Sequence, residues 1–107
     1  MYQYKELYTL DFRNVQQYWE IHSVIRQALD FPDYYGCNWS AFWDCMTDMC
    51  VEPINIEIIG LDVVERKFGD AAKIMVETLR EVKEFAKEIG SNLEVRVING
   101  NVRTRIV

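Results

Sequence analysis

An α/β domain with a parallel sheet is the fold class this sequence predicts, and three observations predict it. Short β-branched, alternating segments recur along the chain. Segments with apolar residues at the roughly 3.6-residue helical period separate them. Gly, Pro and Asn stand at the joints. Strands alternating with helices imply βαβ units, in which helices pack on a parallel sheet. The 107 residues fit one domain, spanning 1–107, and a 50% hydrophobic content suffices for a core without disulfides.

The elements follow in order. Residues 5–12 read as a first strand, with Leu7, Tyr8 and Leu10 as its apolar positions. Asn14 is a candidate N-cap, with Gln17 in the capping-box position. Val15, Tyr18, Trp19, His22, Ile25 and Leu29 then recur at helical spacing and predict a buried stripe. Pro32 and Gly36 mark a loop, and Asn38 or Ser40 can cap the next helix. Its apolar face is Trp39, Phe42, Trp43, Met46 and Met49 or Cys50, and Pro53 ends the region. The alternation over Ile54 to Ile59 predicts a strand, which Gly60 closes. Leu61 to Phe68 suggests a short helix. Gly69 breaks it and Asp70 caps a long one, whose stripe is Ala71, Ile74, Met75, Thr78, Leu79, Val82, Phe85, Ala86 and Ile89. Gly90 stops that helix. Leu93 to Ile98 is a third strand. Asn99-Gly100 is a hairpin signal, so Asn101 to Val107 is placed to return as an antiparallel edge strand.

Composition excludes several functions. A net charge of −5 argues against phosphate-neutralising nucleic-acid binding and suits a basic protein partner. No apolar run is long enough to span a membrane, and the N-terminal residues lack signal-peptide regions, so the protein reads as cytoplasmic. The three cysteines, Cys37, Cys45 and Cys50, fit no zinc spacing and read as free thiols, expected as small buried side chains. No phosphate loop, nucleophile elbow or metalloprotease motif is present, and no cofactor is implied. His22 reads as a histidine at the core edge with a hydrogen-bonded ring. A Cys37–His22 dyad lacks a third orienting residue. Asp44, Asp48 and Glu81 could join in a metal site in principle, but acid spacing alone is weak support for one.

The strongest functional signal is a stretch without positive charge. From Gln27 to Val64 there is no Lys, Arg or His, yet Asp30, Asp33, Asp44, Asp48, Glu52, Glu57 and Asp62 lie within it. On the predicted second helix, Ser40, Asp44 and Asp48 share one face at i, i+4 and i+8. Like charges one turn apart destabilise a helix by roughly 0.2–0.5 kcal/mol, and Asp48 near the C-terminus opposes the macrodipole. The bland alternative is that Lys73, Arg80, Lys83 or Lys87 reaches across from the long helix. Tyr34, Tyr35, Trp39 and Trp43 beside the acids favour a recognition surface, since Tyr and Trp among charges build binding hot spots.

The segment Phe31-Pro-Asp-Tyr-Tyr-Gly-Cys-Asn-Trp-Ser-Ala-Phe-Trp-Asp-Cys-Met-Thr47 resembles the barstar family of intracellular ribonuclease inhibitors, as does Arg80-Glu81-x-Lys83. The resemblance implies a small parallel three-stranded sheet flanked by about four helices, here with the C-terminal antiparallel edge strand added. It implies inhibition of a barnase-like ribonuclease or ribonuclease toxin, as an immunity protein does. Carried onto this chain, it has Tyr34 stacking on the partner, Asn38 shaping the loop, Ala41 allowing close approach and Trp43 supporting the rim. Asp44 is then the principal acid in the phosphate site, and Glu81 a second acid at its edge. The chain departs from the family at Ser40, where the family has an acid, at Asp48, where it has Gly, and at Met49, where it has an aromatic. These three complete the expected partner-binding set, and they lend weight to the alternative of a non-inhibitory acidic interaction module for another basic partner. An enzyme reading is the weakest. The sequence leaves oligomeric state open.

Overall fold

The computed structural model describes residues 7–33 and 35–107. The chain runs β1 (Leu7–Asp11), α1 (Tyr18–Ala28), α2 (Trp39–Met49), β2 (Ile54–Ile59), α3 (Leu61–Lys67), α4 (Gly69–Glu88), β3 (Leu93–Asn99) and β4 (Val102–Arg105). The sheet order is β1-β2-β3-β4, with the first three strands parallel and β4 antiparallel to β3. This is the α/β architecture expected from the sequence, including the edge strand. The predicted start of β1 at residues 5 and 6 lies outside the described residues.

Strands laid side by side in chain order, joined by right-handed crossovers, put every helix on the same sheet face. The register shows the result. Tyr8 sits beside Ile56 and Val95, and Leu10 beside Ile58 and Val97. All but Val97 of these are fully buried, and Val97 packs on the same core. The alternate rows form the other face, where Asn55, Glu57, Glu94 and Arg96 are only half-buried. There β4 contributes Arg103 to Glu57 at 2.9 Å and Arg105 to Glu94 at 3.8 Å, while Arg96 bridges Glu94 and Asn55. Cross-strand ion pairs thus cover the face that lacks helices.

Local chemistry shifts several boundaries. Helix α1 starts later than predicted. Its N-cap is Gln17, and the Glu20 carboxylate reaches back to the Gln16 and Gln17 N–H groups at 3.0 and 2.7 Å. The stretch before it is held as a turn, by Val15 N–H on Phe12 C=O and by Lys67 Nζ on Val15 C=O. Helix α4 begins at Gly69, so Asp70 lies in its first turn rather than at its cap. Two stripe predictions fail at their margins. Tyr18 and Trp19 are 45% and 65% exposed, and Ile74 and Ile89 are exposed too. Ile21, unassigned from the sequence, takes a place in the core. The hairpin turn is Gly100-Asn101 between paired Asn99 and Val102, with Gly100 at the positive φ such turns require.

Gly60 is the tightest backbone position. It caps α3 at φ 80, and a Cβ there would lie 2.8 Å from the backbone nitrogen of Arg13. Gly60→Ala is therefore expected to destabilise the fold by about 2 kcal/mol or more, from left-handed strain plus a backbone clash. Urea unfolding would measure it. An unchanged midpoint would show that the β1–α1 turn yields.

Candidate partner-binding site

Helix α2 and the loop before it form the site. Cys37 adopts φ 51, and Asn38 follows in an extended conformation as the N-cap. The Asn38 carboxamide works in both directions: Oδ1 accepts from Ala41 N–H at 2.8 Å, and Nδ2 donates to Gly36 C=O at 3.2 Å. One side chain thus joins loop to helix. Phe42 and Met46 anchor α2 in the core, while Trp43 meets Phe85 of α4 edge-on at 6.1 Å.

Where α2 lies against α4 a cleft of about 440 Å³ opens, lined by Trp39, Ser40, Trp43, Asp44, Thr78 and Glu81. Two carboxylates from different helices, Asp44 and Glu81, border one concavity walled by indoles. Among the described residues neither takes part in an ion pair, nor does Asp48. Lys73, Arg80, Lys83 and Lys87 therefore do not reach across to them. Helix α2 has no acid in its first turn and no base in its last, so its own dipole leaves Asp48 uncompensated. Two acids of the stretch without positive charge do find cations beyond its ends. Asp33 accepts from Arg26 at 3.1 Å, and Glu57 from Arg103.

Beneath the loop lies an aromatic cluster around His22, the one histidine of the chain. His22 is 1% exposed, its Nδ1 is 2.7 Å from the Tyr35 hydroxyl, and its Nε2 has no hydrogen-bond partner among the described residues. Burial lowers its pKa, so the neutral ring is favoured. Burial likewise raises the Tyr35 hydroxyl. The Trp39 ring packs 4.6 Å from the imidazole, and its Nε1 donates to the Tyr18 hydroxyl at 3.0 Å. Tyr18 in turn meets Phe68 edge-on. Both ends of the loop are fastened to α1 in this way.

The expected site residues now have places. Ser40, Asp44 and Asp48 are exposed on one face of α2, Trp43 is half-buried at the cleft, and Glu81 stands opposite on α4. Ala41 is half-buried beside the Asn38 cap. Tyr34 lies outside the described residues. Met49 requires a correction: at 5% exposure it packs in the core, because α2 turns it toward the sheet side. The cysteine expectation also needs correction, since only Cys50 is buried, its thiol pushed up to about 12 by desolvation. Cys37 is exposed, and Cys45 is half-buried with a thiol raised by burial and by Asp48 and Asp44. The Cys37–His22 dyad does not form, because Tyr35 holds Nδ1 and Nε2 is unpartnered. Among the described residues no three His, Cys, Asp or Glu side chains gather as metal ligands. No helix is long and apolar enough to cross a membrane, again among the described residues.

Fold and cleft together define a small α/β protein with helices on one sheet face and uncompensated carboxylates set beside tryptophan. The family model described as Barstar (barnase inhibitor) matches residues 6–98, and the chain belongs to that family. The match ends before the Gly100 turn and β4. Over 78 residues, covering 73% of this chain and 82% of the relative, it is 32% identical to the Bacillus subtilis (strain 168) protein named "Putative ribonuclease inhibitor YrdF".

Proposed function

We propose that this protein inhibits a basic, barnase-like ribonuclease or ribonuclease toxin by occupying its phosphate-binding site with acids of α2 and α4. The observation that carries the reading is the cleft in which Asp44 and Glu81 converge with no ion pair to a cation among the described residues. A ribonuclease that binds phosphate must concentrate positive charge in a concave site. Carboxylates on a rigid helix pair offer that site an anion that is not cleaved. Asp44 enters deepest, where desolvation against several cations makes charge-assisted hydrogen bonds strong. Glu81 meets the edge of the basic site. Asn38 fixes the loop from which Tyr34 stacks on the partner, and half-buried Ala41 and Trp43 let the surfaces approach. Ser40 and Asp48 redistribute the family's negative charge along α2, which places partner specificity there. Made in the cytoplasm of a cell that also makes the nuclease, such an inhibitor serves as its immunity protein.

The test titrates the purified protein into barnase while RNA cleavage is followed at several ionic strengths. Stoichiometric inhibition is expected, with an association rate that falls at least tenfold between about 0.01 and 0.3 M salt, because screening cuts the long-range attraction. Absence of inhibition, together with absence of a complex with any basic nuclease, would favour the non-inhibitory module.

A further inference from the structure

The geometry points to an extension of the partner-binding face onto α1, where Trp19 takes a cation of the same basic nuclease on its ring; this inference rests on the inhibitory reading above. Trp19 is 65% exposed. Among the described residues it makes no hydrogen bond and no ring contact. Most of the residue thus faces solvent, unlike Trp39 and Trp43, which pack against the core.

Its position ties it to the recognition loop. Trp19 and Arg26 lie seven residues apart, about two turns, and so share one edge of α1. Along that edge the loop is fastened at three points. Arg26 holds Asp33 at 3.1 Å, His22 holds Tyr35, and Tyr18 accepts from Trp39. The loop thus runs back along α1 and ends beside its first turn, where Trp19 stands. Trp39 belongs both to this corner and to the acidic cleft, so the two surfaces are continuous.

Charge decides what would settle on the ring. The nearest cations in sequence, Arg13 and Arg26, are each engaged by an aspartate, Asp11 and Asp33. Burial favours neutral His22. The Glu20 carboxylate is turned onto the Gln16 and Gln17 N–H groups. Among the described residues no cation is seen to compete for the indole, and a partner selected for positive charge by Asp44 and Glu81 carries lysines or arginines around its active site. A cation within about 6 Å of an indole is attracted by the ring quadrupole, and Trp is the best of the aromatic side chains for this.

Isothermal titration against barnase tests the inference with Trp19→Ala, Trp19→Phe, Trp19→Gln and, separately, Asp44→Ala. Because Trp19 is mostly exposed, the thermal midpoint of the free variants should shift little. We expect Trp19→Ala and Trp19→Gln to raise Kd about tenfold, with Trp19→Phe between them and the parent. If Asp44→Ala weakens the complex while Trp19→Ala and Trp19→Gln bind like the parent, the extension onto α1 is wrong and the inhibitory reading stands. If the parent binds neither barnase nor any other basic nuclease, both are wrong.

Discussion

Replacing Asp44 with alanine is expected to weaken the complex with a barnase-like ribonuclease at least about thirtyfold, roughly 2 kcal/mol, while the free protein keeps or slightly gains thermal stability. The two halves of this expectation come from one fact. Asp44 is exposed, without an ion pair among the described residues, one turn from Asp48 on a helix with no base in its last turn. Removing it relieves a like-charge pair of roughly 0.2–0.5 kcal/mol. Its main-chain carbonyl, which accepts from the Thr47 hydroxyl at 3.0 Å, survives the change. In the proposed complex, removing the same carboxylate would leave a cluster of partner cations without its counter-charge, a loss made large by desolvation at such a contact. Glu81→Ala removes an acid at the rim and should cost less. Calorimetry of binding beside thermal unfolding of the free variant separates the two effects. A marked loss of folding stability in Asp44→Ala would make Asp44 a structural residue and remove the basis for the acidic plug.

Asp44 was legible in the sequence because its signal is an absence: no cation lies within reach along the chain, and helical spacing puts it beside Asp48. Asp33 and Glu57 lie in the same stretch and nevertheless find cations. Their partners, Arg26 and Arg103, come from just before the stretch and from the edge strand β4. Periodicity found the strands and helices, since each has one face against a shared core. It could not say how far that core extends. Tyr18 and Trp19 continue the apolar period of α1 but lie at its first turn, where Phe68 and Trp39 cover only part of one ring. Ile74 and Ile89 sit at the margins of the α4 stripe, whereas Met49 keeps the place on the apolar face of α2 that its spacing gave it. The cleft itself was half legible: Glu81 entered through family resemblance, and only the packing of α2 on α4 brings it to Asp44. The fastening of the loop to α1 through Arg26, His22 and Tyr18 is tertiary, and no local pattern announces it.

That fastening carries the second large effect. His22→Ala is expected to destabilise the protein by about 3 kcal/mol, combining a cavity in a packed cluster with a buried Tyr35 hydroxyl left without its partner. Because the imidazole lies against Tyr18, Tyr35 and Trp39, the recognition loop loses its support, and binding should weaken although His22 touches no partner. The parent chain should also show acid sensitivity of defined sign. Burial lowers the native pKa of His22, so the unfolded imidazole, near 6.5, takes a proton more readily than the folded one. The resulting stability is fully present above about pH 6.5. It falls as pH drops below that, by at most about 1.4 kcal/mol per unit, until the native ring itself titrates. As the chain has one histidine, the imidazole share of this window belongs to His22. Urea midpoints measured between about pH 5 and 7.5 should slope in the parent and flatten in His22→Gln, which can still meet the Tyr35 hydroxyl but does not titrate. An equal slope in both proteins would place the acid sensitivity elsewhere, and a His22→Ala variant as stable as the parent would mean that the loop is held by Arg26 and Tyr18 without the histidine.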